Sequence, residues 1–540
     1  MKLWPTIIAL FLLSPLWAQS EKPKLVVGIV VDQMRNDYLY RFAHDFGEDG
    51  FKKLLNEGYH FKNAHYNYVP TYTGPGHASI YTGTTPRFHG IIANNWYNRD
   101  LDRDIYCAED STQQAVGGSG ENGAMSPANM FSTTISDQLR LTSNFRSKVI
   151  GVAIKDRGAI LPAGHSANAA YWFDPVSGDF ISSTYYMTEL PRWVKTFNNK
   201  KWASNYLTKT WQTMKPIEDY KASHEDNNDF ERSLGRKATP TFPYDLSKIT
   251  GKEDYGIIRT TPFGNTLTLD MAIAAIEGES LGQDEFTDLL AVSFSSTDYV
   301  GHAFGPHSVE IQDTYMRLDR EIARLLKYLD EHVGVGNYTV FLTADHGVVH
   351  VPSFLQSQKV QAGYYQIKET AIQLGTALNE EFGKGEWLLN ASNDQLFINK
   401  DLVLEKDLEL DDFQEKLVEI VLEVEGVLEA YSAIELVNNV YQGDITASLR
   451  NGYNMQRSGD VLAILKPNYL GDGYGSKGTT HGSGFNYDTH IPILFYGKNI
   501  KRGKSVRKVN IVDIAPTLSL MLDISLPNAA TGLPLSELFE

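Results

Sequence analysis

The stretch LVVGIVVD, Leu25 to Asp32, holds seven residues without a polar break and then stops at a carboxylate. A strand with one wet face alternates apolar and polar side chains. An unbroken run needs cover on both faces, as in a parallel sheet. Three further runs share this design: Val149–Ile154 ends at Lys155, Leu289–Phe294 leads to Asp298, and Tyr338–Leu342 leads to Asp345 and His346. Between them, Ile311, Tyr315, Leu318, Ile322, Leu325 and Leu329 recur at three- and four-residue spacing, which predicts an amphipathic helix. Strands alternating with helices predict an α/β fold, doubly wound, with a mostly parallel central sheet and helices on both faces. In such sheets ligands bind outside the carboxyl ends of the strands. Four strands here deliver a charged or ligating side chain at that end.

The remaining bulk features narrow the setting. Lys2, the apolar run Ile7–Leu13 and the small residues near Ala18 and Ser20 read as a cleavable export signal over residues 1–20, too short to span a bilayer. Residues 21–540 then form the catalytic body, located in the periplasm or secreted, with no stable membrane association after cleavage. The single cysteine, Cys107, excludes an intrachain disulfide framework. A formal net charge of −17 argues against nucleic acid as a partner, because a phosphate backbone demands a basic footprint. Two stretches break the core pattern. One, about 170–243, is rich in Trp and Tyr before turning polar; the other, about 390–440, is charged. Both are expected to be insertions capping the crevice.

Asp32, Asp298, His302, Asp345, His346 and His481 all fall in loops that follow strands or carry glycine. A mixed Asp/His donor set suits zinc, and two such sites about 4 Å apart clamp the attacking and leaving oxygens of an in-line displacement. In PTYTGPGHAS, Pro70 to Ser79, Thr73 stands just before Gly74-Pro75-Gly76. Proline suits a first helical turn, so a helix should begin at this hydroxyl, with its free N–H groups and dipole favouring a phosphoryl anion there. Metal coordination can turn such a hydroxyl into a nucleophile. Thr71 lacks the adjoining turn and is expected to be structural.

Taken together, VVDQMR, PTYTGPGHASIYTG, HGIIANNWYNR, AIKDRG, STDYVGHAFGP, LTADHG and GTTHGSGFNYDTHIP resemble the alkaline phosphatase superfamily, in its nucleotide pyrophosphatase/phosphodiesterase-like branch. Within that branch the chain is most similar to the phosphate-irrepressible alkaline phosphatases of the PafA type. The resemblance runs from about residue 24 to the C-terminus and implies an alkaline phosphatase-like fold with two Zn²⁺. Asp298, His302 and His481 would hold the zinc that stabilises the leaving group. Asp32, Asp345 and His346 would hold the zinc that binds Thr73. Asn94 would donate to a nonbridging oxygen, and Lys155 and Arg157 would bind the same phosphoryl group. Two cations suit a dianionic phosphate monoester, so the expectation is a monomeric phosphomonoesterase acting on small molecules through a phosphothreonine at Thr73. The alternative is a phosphodiesterase or nucleotide pyrophosphatase on the same scaffold.

Overall fold

The computed structural model describes residues 21–539, apart from 444, 472 and 474; the export signal read at residues 1–20 lies outside the described residues. Ten strands build the main sheet: β1 (Leu25–Val31), β2 (Tyr59–His65), β3 (Ala115–Val116), β4 (Val149–Ala153), β5 (Ala169–Phe173), β6 (Phe180–Ser183), β7 (Asp288–Phe294), β8 (Tyr338–Thr343), β9 (His490–Gly497) and β10 (Gly503–Asn510). Their order across the sheet is β10-β2-β9-β8-β1-β7-β4-β5-β6-β3. The central strands β8, β1, β7, β4 and β5 run parallel. Every residue of β1, β4, β7 and β8 is buried, so both faces of the sheet are covered, as the unbroken apolar runs require.

The helices that matter for the site are α1 (Thr73–Thr82), α2 (Asp156–Ala163), α3 (Ser296–Phe304) and α4 (Val309–Leu329). In α4 the six periodic residues named from sequence are all buried, and the Ser308 hydroxyl caps the helix by accepting from the Ile311 N–H. Where α1 crosses β1, a Cβ on Gly28 would strike the Tyr81 hydroxyl and the Phe341 ring, so the absent side chain allows the close approach.

The insertions differ from the sequence expectation at their edges. The first was expected to start at 170, yet Ala169–Phe173 and Phe180–Ser183 belong to the main sheet. Tyr171, Trp172 and Phe173 are aromatic because that strand is buried on both faces. The rest of that stretch packs beside the site: Gly478 N–H donates to Phe230 O, and Arg232 N–H to Ala303 O. The second insertion is wider than 390–440. Antiparallel strands Leu388–Ser392, Gln395–Ile398, Val461–Leu465 and Val427–Ser432 form a separate four-stranded sheet. Helices Ile367–Phe382 and Leu410–Leu422 cover it, over an apolar core that includes Leu378, Trp387, Phe413 and Leu417. Its last strand pairs with residues more than sixty positions earlier, a long-range closure that local composition does not reveal. Among the described residues no helix is long and apolar enough to cross a membrane.

Candidate active site

The adjacent strands β8, β1, β7 and β4 end at one edge of the sheet, and Asp345-His346, Asp32, Asp298 and Lys155 follow them in that order. Strand β9 runs antiparallel to β8 and to β2. The loop before β9, carrying His481, and the segment after β2, leading to Thr73, therefore reach the same edge.

Lys155 Nζ lies 2.7 Å from Asp32 Oδ2 and 2.6 Å from Asp298 Oδ2. His302 Nε2 is 3.1 Å and His481 Nε2 3.7 Å from Asp298 Oδ1. His346 Nε2 stands 3.5 Å from both Asp32 Oδ1 and Asp345 Oδ2. The rings of His346 and His481 stack at 3.4 Å, 11° from parallel. Donor atoms gather in two groups, each within 4.8 Å: Asp298, His302 and His481; and Asp32, Asp298 and His346. Asp298 thus belongs to both, while Asp345, expected in the second set, flanks it through His346.

Each histidine is aimed from behind. Nδ1 of His302 donates to Thr479 O at 2.7 Å, that of His346 to Gly347 O at 3.0 Å, and that of His481 to Thr71 O at 2.7 Å. A carbonyl only accepts, so Nδ1 carries a proton in each ring, which in His346 and His481 leaves the Nε2 lone pair facing inward. Burial works against charge on His302, but Asp298, 3.1 Å from its Nε2, more than offsets that and raises its pKa. Burial lowers the pKa of His481 to about 3, with His302 also opposing charge there, and burial lowers that of His346 well below the ordinary value, with His481 also opposing charge on it. The His346 and His481 imidazoles are therefore neutral donors. Asp488 secures the His481 loop, accepting from Gly482 N–H, Ser483 N–H and the Ser483 hydroxyl.

Three buried carboxylates meet one ammonium here. Burial raises Asp32 to about 6, with Asp298 adding to the shift and Lys155 opposing it. Burial and the Asp32 charge raise Asp345 well above the carboxylate range. Burial works against the Lys155 ammonium, but Asp298 and Asp32 more than offset it and hold its pKa above the lysine value. Among the described residues, the buried atoms Asp32 Oδ1, Asp345 Oδ2 and His346 Nε2 have no hydrogen-bond partner. Surplus negative charge, orphaned donor atoms and neutral inward-facing imidazoles fit divalent cations of the zinc type.

Thr73 opens α1; Tyr72 before it is extended, and no side chain caps the helix. The hydroxyl is thus not used as a cap. Thr73 Oγ1 accepts from Lys155 Nζ at 3.4 Å and from Arg157 Nη2 at 3.5 Å. The helix end offers fewer free donors than expected: Gly74 N–H is held by Asn94 Oδ1 at 2.8 Å, Pro75 has none, and Gly76 N–H donates to Tyr72 O. That bond fixes the Asn94 amide and leaves its Nδ2 to donate. Thr71 is structural, its hydroxyl donating to Ser483 O at 2.9 Å.

Glycine at position 76 is required by the Asp345 loop, since a Cβ would sit 2.5 Å from Asp345 O and 2.7 Å from Asp345 Cβ. Gly76→Ala is expected to destabilise the protein by about 1–3 kcal/mol, the usual cost of overpacking. Chemical denaturation measures this, and an unchanged midpoint and slope would mean that the loop gives way freely.

Three further side chains support the site. Gln33 Nε2 donates to Asp298 Oδ1 at 2.6 Å and Gln33 N–H to Asp345 Oδ1 at 3.1 Å, from a left-handed backbone with φ 67°. A non-glycine residue held there beside two buried carboxylates is backbone strain of the kind that clusters at sites; its signal was its place directly after Asp32. Tyr106 accepts from Arg157 Nη1 at 3.0 Å and donates to Asp156 Oδ1 at 2.5 Å, fixing the guanidinium. His77 links Thr73 O, at 2.9 Å, to the Ser293 hydroxyl, at 2.8 Å.

Residues 26–484 match the family model described as type I phosphodiesterase / nucleotide pyrophosphatase. Alkaline phosphatase PafA of Elizabethkingia meningoseptica is 48% identical over 522 residues, covering 96% of this chain and 94% of that protein. A Myroides odoratus protein named a calcium-transporting ATPase is 47% identical over 522 residues, covering 96% and 95%. The crystal structure of wild-type alkaline phosphatase PafA superimposes with a TM-score of 0.92 at 47% identity, covering 96% of this chain and 99% of that one. The fold is accordingly alkaline phosphatase-like, and the chain belongs to the type I phosphodiesterase / nucleotide pyrophosphatase family, on its PafA-like alkaline phosphatase branch.

Proposed function

We propose that the chain is an alkaline phosphatase: an exported, monomeric, zinc-dependent phosphate monoester hydrolase working through a phosphothreonine on Thr73. The observation that carries this reading is the seating of the Thr73 hydroxyl against two cationic side chains, one of which bridges the carboxylates of both donor groups.

Asp298, His302 and His481 would hold one Zn²⁺, and Asp32, Asp345 and His346 the other, with Asp298 within reach of both. Ions held there would lower the pKa of the Thr73 hydroxyl and would offset charge on the departing ester oxygen. Thr73 Oγ1 attacks phosphorus in line with the ester oxygen, which leaves as the P–O bond breaks. Arg157 presents a planar fork to the nonbridging oxygens, Lys155 adds a point charge, and Asn94 Nδ2 donates a hydrogen bond. Tyr106 keeps the Arg157 fork from rotating away. Water entering from the vacated side then cleaves the phosphothreonine and restores the hydroxyl. These groups act by positioning and by stabilising charge, as phosphoryl transfer requires.

A monoester brings close to two negative charges to Arg157 and Lys155; a diester brings one. Phosphodiester hydrolysis is the competing activity on this scaffold. Arg157→Ala is the cleaner probe, because Lys155 also neutralises Asp32 and Asp298. Rates on an aryl phosphate and on its methyl diester should favour the monoester in the parent chain. The substitution should lower kcat/KM for the monoester about 10²–10³-fold, as losing one transition-state donor does, and lower the diester rate much less. Equal losses on both esters would contradict the monoester assignment.

A further inference from the structure

A cleft of about 540 Å³ opens between the main sheet's carboxyl edge and the second insertion. A water molecule's share of liquid volume is about 30 Å³, so the cleft is an order of magnitude larger than a small solvent site needs. It falls within the size range of pockets for organic ligands, roughly 300–1,000 Å³. A phosphoryl group, with one phosphorus and its oxygens, would fill a minor part of it.

Its position relative to the chemistry is specific. Among the residues assigned to the site, His302, His481 and Asn94 line the cleft, whereas Thr73, Lys155 and Arg157 do not. The cleft therefore starts at the donor group assigned to the leaving oxygen and extends away from the cations assigned to the phosphoryl group. The part of a substrate that points into it is the ester's alcohol.

The walls say what kind of alcohol. Tyr72 and Tyr487 line it together with Leu374 of helix Ile367–Phe382 and with Tyr365 and Tyr469, which lie on the two strands of a short parallel ladder of their own. Several of these rings are held in place. Tyr72 sits edge-on to His481, with centroids 5.7 Å apart at 76°. The Tyr487 hydroxyl accepts from Asn468 N–H at 3.0 Å. Tyr469 rests on Gly363 and Gly426, where any Cβ would collide with its ring. Aromatic faces fixed before binding favour flat, polarisable groups at low entropic cost.

We propose that this cleft is a leaving-group subsite that selects phosphate monoesters whose alcohol carries a planar aromatic ring set back from the ester oxygen. The proposal rests on the phosphomonoesterase reading above and adds the substrate class to it. An aryl alcohol and a nucleoside offer the same flat surface, so two matched ester pairs separate them. The first pair is biphenyl-4-yl phosphate against phenyl phosphate, whose phenols are of similar acidity. The second is adenosine 5′-monophosphate against ribose 5-phosphate, which share a leaving hydroxyl and differ by the ring.

The expected result is a kcat/KM ratio of at least about tenfold in favour of the ring-extended ester in one pair or both, in keeping with stacking on aromatic side chains. The pair that shows it names the source. Ala371, on helix Ile367–Phe382, also lines the cleft. Ala371→Trp should fill the space and bring the ratio at least threefold closer to one. Ratios near one in both pairs for the parent chain overturn the proposal without any variant, while leaving the phosphatase reading in place. A high parent ratio that a folded Ala371→Trp protein retains also overturns it. Hydrolysis of none of the four esters overturns the phosphatase reading, and this one with it.

Discussion

Thr73→Ala should retain the fold and lose turnover by about 10⁴-fold or more, the scale seen when a covalent nucleophile is removed from a site whose other parts remain. Its hydroxyl makes only the long contacts to Lys155 and Arg157, at 3.4 and 3.5 Å, and caps no helix. Its removal therefore leaves no strongly bonded partner behind. Thr73→Ser keeps the oxygen and should stay within about tenfold of the parent, since removing the methyl group alone leaves the attacking atom in place. Acid quenching during turnover, followed by mass spectrometry, should find phosphate on residue 73 in the parent and in the Ser variant, and none in the Ala variant. Substantial turnover by the Ala protein would mean that water, not this side chain, attacks phosphorus.

Chelation should be nearly as damaging. Asp32, Asp298 and Asp345 are buried together with one ammonium among them, and Asp32 Oδ1 and Asp345 Oδ2 lack a hydrogen-bond partner among the described residues. Removing divalent cations should abolish hydrolysis, and Zn²⁺ should restore it. Unfolding should shift as well. A ligand at a thousand times its Kd stabilises the folded state by about 4 kcal/mol, so the metal-free protein should melt at a lower temperature. Asp298→Asn tests the sharing of this carboxylate between donor groups. Metal content measured on the purified variant should fall below that of the parent at both sites together, whereas an unchanged content would show that Asp298 ligates neither ion.

Much of this arrangement was legible before any coordinate. Asp32, Lys155, Asp298 and Asp345-His346 could be picked out because each follows a buried strand, and a parallel sheet gathers such ends at one edge. Gly74-Pro75 announced the start of α1 at Thr73, because proline and a missing N–H suit a first turn. Other features left no local trace. Gln33 reaches Asp298 across 265 positions of chain, and Tyr106 reaches Arg157 across 51. Both are polar residues in ordinary company, with meaning only through a partner. The helix N–H groups looked free in sequence, but Asn94 claims the first from twenty residues away.

The chain's own order of residues determined the sheet, its active edge and the residue types gathered there, because burial on two faces and the turn chemistry of Gly and Pro are local demands that any short segment must meet. Tertiary structure alone decided that Asp298 is shared between the donor groups, that strand Val461–Leu465 closes the second insertion, and that a cleft with several tyrosines in its lining reaches His302 and His481. Those outcomes depend on distances between segments far apart in sequence, and such distances exist only once the whole chain has packed.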